Sequence, residues 1–85
     1  MKELNISDFE VAHVEAACQA AGFWGTVNPL PSFNAWQICF DDGTPRLWVI
    51  NPRREDGVIV ADVFTIHGWD GGIEGFCGEI QFMDF

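Results

Sequence analysis

Residues 46–67 decide the fold: Arg46 to Ile50 (RLWVI), Asn51 to Gly57 (NPRREDG) and Val58 to His67 (VIVADVFTIH). Two runs rich in β-branched residues flank a polar segment, the signature of a long β-hairpin near the centre of a sheet. The segment from Asn51 to Gly57 reads as the turn. Pro52 has no N–H for a ladder, and Gly57 tolerates positive φ. The hairpin also holds Arg46, Arg53 and Arg54, three of the four basic residues in the chain.

Outward from the hairpin, further strands follow from period-two alternation. Phe33 to Phe40 places Trp36, Ile38 and Phe40 on one face, with Ala35, Gln37 and Cys39 on the other. Asp42-Gly43 favours a tight turn into Leu47–Ile50, which sets Ile38 opposite Leu47 and Trp36 opposite Val49. In Val58–Ile66 one face carries Val58, Val60, Asp62, Phe64 and Ile66, and the other Ile59, Ala61 and Val63. Apolar residues on both faces point to a central strand or a covered second face. Residues 68–78 hold five glycines and read as a wide loop leading into a bent strand. Glu79 to Phe85 alternates again as the last strand.

Before the strands lies one helix, predicted over Ser7–Ala21. Ser7 and Glu10 have capping-box spacing, Ile6 and Val11 can form a hydrophobic staple, and Gly22 stands where a C′ glycine ends a helix. Val11, Val14, Ala17, Cys18 and Ala21 share one arc, a small-residue face suited to docking on a sheet. Residues 23–32, punctuated by Gly25, Pro29 and Pro31, read as irregular.

The 85 residues fit one α+β domain, 1–85: an N-terminal helix packed on a four-stranded antiparallel meander sheet. No apolar run approaches the ~18 residues of a membrane span, and the first residues lack the apolar core of a secretory signal. Cytoplasmic location is the expectation. Cys18, Cys39 and Cys77 are odd in number and widely spaced, so reduced thiols are expected rather than a disulfide framework. The net charge is −9, and residues 58–85 contribute five acids and no base. Such a field repels nucleic acid and membranes and favours a basic protein surface.

The candidate chemistries are weak. His13, Cys18, Cys39, His67 and Cys77 show none of the local spacings of structural zinc sites, so no metal or other cofactor is expected. A Cys77/His67 dyad flanks the glycine-rich loop and is the one enzymatic alternative. That loop lacks a phosphate-binding pattern, and Asp70 and Glu74 oppose phosphate. Arg46, Arg53 and Arg54 beside Trp48 sketch a basic–aromatic patch, but the overall charge argues against direct nucleic-acid binding.

An acidic chain of this size, with Asp62, Asp70, Glu74, Glu79 and Asp84 in excess and no catalytic set, resembles the small phage-encoded anti-defence proteins, including anti-CRISPR proteins. The resemblance is a profile over the whole chain and not a motif. It implies a non-enzymatic inhibitor acting in the host cytoplasm. Such an inhibitor occupies a basic surface on another protein, and a nucleic-acid-binding defence complex is the partner class the resemblance implies. The expected contact residues are Trp69, Asp70, Glu74, Glu79 and Asp84, with Arg53 and Arg54 at a hairpin tip. The alternative is an assembly module in which the second sheet face makes an oligomer. Monomer and homodimer are both open.

Overall fold

The structure is a computed structural model that describes residues 4–39, 43–67 and 72–82, without the side chains of residues 45, 67 and 72–74. A short 3-10 turn, Ile6–Asp8, precedes helix α1 at Val11–Ala20. The strands are β1 Thr26–Leu30, β2 Ala35–Cys39, β3 Pro45–Glu55, β4 Val58–His67 and β5 Gly72–Phe82. Each pairs antiparallel with the next, giving the order β1-β2-β3-β4-β5. The α+β class and the meander hold, with five strands where the sequence suggested four.

The central hairpin is longer than its sequence implied. Only Asp56 and Gly57 turn, with φ of 51° and 82°, the left-handed pair that matches strand twist in a two-residue loop. The segment from Asn51 to Glu55, expected to be part of that turn, is strand. Ile50 pairs with Asp62 and Arg53 with Val60, so Asn51 and Pro52 together oppose Ala61. This is a β-bulge, with Asn51 at φ 59°. Inside a bulge Pro52 owes the ladder no N–H. Its carbonyl instead accepts the Leu4 N–H at 2.8 Å, and its ring is fully buried.

The predicted register on the other side holds: Ile38 faces Leu47 and Trp36 faces Val49. Those four side chains are buried on the helix side of the sheet with Ala61, Val63 and Ile80. The Asp42 half of the preceding turn and Phe40 lie outside the described residues.

β1 is the strand that the sequence reading left as irregular. Pro29 and Pro31 read as punctuation of an irregular stretch. Pro29 instead sits on an edge strand, where a missing N–H is tolerated. Gly25 makes the approach possible: at φ 154°, a Cβ there would lie 2.5 Å from the Cys39 carbonyl oxygen. Phe33, expected in a strand, belongs to a 3-10 turn at Pro31–Phe33 between β1 and β2.

At the other edge, the glycine-rich run from Gly72 onward is strand rather than loop. β5 stays paired with β4 by absorbing irregularities opposite Val63/Phe64 and Thr65/Ile66. Ile80 and Phe82 are buried while Glu79 and Gln81 are exposed, the alternation expected for Glu79–Phe85. Residues 83–85 lie outside the described set.

The helix starts four residues later than predicted. The Asn5 carboxamide oxygen accepts the Ser7 N–H at 2.9 Å and the Ser7 hydroxyl at 2.8 Å, so Ser7 is spent inside the 3-10 turn. Glu10 is the N-cap and makes no side-chain capping bond. The break between turn and helix lets Phe9 wedge edge-on against Trp36, at 5.4 Å and 84°, and against Phe82 at 4.9 Å. The C-terminus is as expected. Gly22 lies at φ 91°, and the Phe23 N–H donates to the Cys18 carbonyl at 2.8 Å, a Schellman closure. Val14, Ala17 and Cys18 are buried, whereas Val11 and Ala21 at the ends of the predicted arc are exposed.

α1 touches both β1 and β5, so the sheet curls its core face around the helix. The opposite face is the outer surface of that curl. No helix among the described residues is long and apolar enough to cross a membrane.

Candidate functional site

The outer face takes its character from the bulge. Side chains alternate along β3, so without an extra residue the face bearing Trp48 and Ile50 would continue with Pro52 and Arg54. The bulge shifts that parity by one. Arg53 and Glu55 therefore join Asp62 on the outer face, and Arg54 goes to the other side, where it is exposed beside Ile59.

Arg53 is caged there. Its Nε donates to Glu55 Oε2 at 2.9 Å, and its Nη2 to Glu79 Oε2 at 3.1 Å. Nη1 lies 3.1 Å from Asp62 Oδ1 and donates to the Asn51 carbonyl at 3.0 Å. The Arg53 side chain is only 11% exposed and Asp62 17%, while Glu55 and Glu79 are 38% and 43% exposed. Burial works to lower the Arg53 pKa. The bonds to Glu55 and Asp62 outweigh it, so the pKa is raised and the charge is fixed. Three carboxylates around one guanidinium give the cage a formal charge of −2.

Beside the cage runs a row of rings. Phe33 packs on Trp48 at 5.2 Å, Trp48 is the ladder partner of Phe64, and Phe64 packs on Phe76 at 5.4 Å. The ends of the row, Phe33 and Phe76, are 64% and 63% exposed. The middle is half-buried, and the Trp48 Nε1–H is buried with no acceptor among the described residues. Phe33, Asn34, Trp48, Ile50, Asn51, Asp62 and Phe64 line an open groove of about 520 Å³. Asp62 thus belongs to both features: Oδ1 holds Arg53, and Oδ2 is 3.4 Å from the Asn51 amide nitrogen.

Of the contact residues expected from sequence, the structure brings Glu79 and Arg53 together. Arg53 stands in a cage and not at a hairpin tip. Arg54 is separated from it by the parity shift. Trp69, Asp70 and Asp84 lie outside the described residues, as does the Glu74 side chain. Sequence reasoning missed the row from Phe33 to Phe76, because its members come from a turn and three strands whose register was unassigned. The signal was present in Trp48 and Phe64, which alternate with Leu47 and Val49 on one strand and with Ala61 and Val63 on the other.

The cysteines are free, Cys18 and Cys39 buried and Cys77 exposed. Burial, with Glu15 nearby, pushes the Cys18 thiol up to about 12, so it is protonated and inert. His67 pairs with Gly72, whereas Cys77 lies between Phe76 and Gly78, the partners of Phe64 and Val63. At about 3.3 Å per residue, their backbones are roughly 10 Å or more apart along the ladder. Among the described residues, no group of three or more His, Cys, Asp or Glu side chains is arranged to hold a metal ion.

Comparison of the chain with protein-family models, with curated proteins and with solved structures finds no match.

Proposed function

We propose that this protein is a non-enzymatic inhibitor that occupies a basic, nucleic-acid-binding surface on another protein, as the small phage anti-defence proteins do. It acts in the cytoplasm of the host cell. The cage around Arg53 carries this reading. It takes one of the few cations of a −9 chain out of the external field and leaves two uncompensated carboxylates on an exposed aromatic face. Carboxylates there stand where phosphates stand on the natural ligand of such a surface. Asp70, Glu74 and Asp84 add charge of the same sign to the last third of the chain.

The test is competition. The immobilised protein is offered basic nucleic-acid-binding proteins of the host, and a bound candidate is challenged with a DNA duplex. Retention that falls steeply with salt, and release of the bound candidate by the duplex, are the expected results, because exposed charges are screened beyond about 10 Å at 0.1 M ionic strength. Asp70→Lys combined with Glu74→Lys should weaken retention about tenfold, or 1.4 kcal/mol. Salt-independent retention, or simultaneous binding of duplex and protein, overturns the reading. The exposed rings of Phe33 and Phe76 favour a second reading, an oligomer formed through the outer face. Light scattering distinguishes the two.

A further inference from the structure

The groove on the outer face combines two chemistries that seldom suit one ligand. Its walls are aromatic: Trp48 and Phe64 in the middle of the row, and Phe33, 64% exposed, at one side. One wall is Asp62, whose Oδ2 makes, among the described residues, only the long 3.4 Å contact with Asn51. Behind Asp62 stand Glu55 and Glu79, each holding Arg53 through a single carboxylate oxygen.

An uncharged apolar group would satisfy the rings and leave the carboxylates desolvated. A small metal cation would satisfy the carboxylates and gain little from the rings. A nucleotide would stack, but its phosphates would meet two uncompensated negative charges. A second copy of the chain would bring a further net charge of −9. A guanidinium meets both demands. It is planar, weakly hydrated, stacks on aromatic faces and donates in pairs to carboxylates.

We infer that this groove receives an arginine side chain of a protein partner, stacked among Phe33, Trp48 and Phe64 and hydrogen-bonded to Asp62. The inference rests on the reading of this chain as a binder of basic surfaces, and it names the residue type and the place of contact.

The probe is an acetylated, amidated Gly-Arg repeat peptide, compared with a Gly-Lys repeat of equal length. Binding is followed by NMR through the Trp48 indole N–H signal, assigned with Trp48→Phe. The arginine peptide should move that signal and bind about three- to fivefold more tightly than the lysine peptide. Phe33→Ala removes an exposed ring that lines the groove and should weaken the arginine peptide about fivefold. Phe76→Ala, at the far end of the row, should change binding less than about twofold. Circular dichroism of both variants checks that the fold is kept.

If the two peptides bind equally and Phe33→Ala has no effect, the groove is not the site, although the acidic reading survives. If neither peptide binds at low salt, both readings fall. A dimer that Phe33→Ala dissociates makes the groove a seam between copies and overturns the inference.

Discussion

Arg53 lies 3.1 Å from Asp62 because two residues of β3, Asn51 and Pro52, oppose the single residue Ala61 of β4. One inserted residue chooses between neighbouring arginines. It sends Arg53 into the cage and Arg54 to the exposed end of the hairpin.

The two arginines should therefore differ in what they contribute to stability. Arg53→Gln leaves three carboxylates facing one another with little solvent at Asp62, and should cost about 3 kcal/mol. Arg54→Gln should stay within about 0.5 kcal/mol, as exposed substitutions usually do. Urea denaturation of both variants checks this, and equal midpoints would show that the cage is not formed in solution.

The edge strand β1 depends on one glycine. Gly25→Ala places a methyl group against the Cys39 carbonyl and the Ile38 side chain, at 2.5 and 2.7 Å before any relaxation. Gly22→Ala meets nothing within 4 Å and bears only the strain of φ 91°. We expect about 1 kcal/mol for Gly22→Ala, and a loss of about 2 kcal/mol or more at Gly25, an overpacked contact. Thermal or urea unfolding gives the ranking, and the reverse order would mean that β1 is not seated on β2.

Cys18 should make stability depend on pH in the alkaline range. Its thiol is raised from 9.0 to about 12 in the fold, so between those values the unfolded chain releases a proton that the folded chain keeps. Stability is fully present below about pH 9 and falls as pH rises toward 12, at up to about 1.4 kcal/mol per pH unit. Cys18→Ala should flatten that part of the profile. In the native protein, an alkylating reagent should modify Cys77 and spare Cys18. Rapid labelling of Cys18 without unfolding would contradict its burial.

Much of the fold could be read where alternation was regular. The pairs Ile38/Leu47 and Trp36/Val49 follow from apolar spacing and a turn, and Gly22 follows from the end of the helical pattern. The reading failed where one interaction outcompeted a local rule. Ser7 has the sequence of a cap, but Asn5 reaches it first. Pro29 and Pro52 are strand breakers, but an edge and a bulge each excuse the missing N–H. The candidate site depended on the same failure: nothing in NPRREDG beyond the identity of Asn51 points to a positive φ there, so the parity of Arg53 could not be assigned. Asn is among the residues that accept that conformation most readily, which is the faint mark the sequence did carry.

The two margins of the sheet have a further consequence. β1 carries Pro29 in its pairing run, and β5 is kinked twice as it follows β4. Among the described residues neither margin is an unbroken regular strand, so neither is a good template for adding a strand from another chain. A protein that exposes this many rings runs the risk of growing edge to edge into fibrils. Here recruitment is diverted from backbone to side chains. A partner would then have to engage side chains rather than a free strand edge.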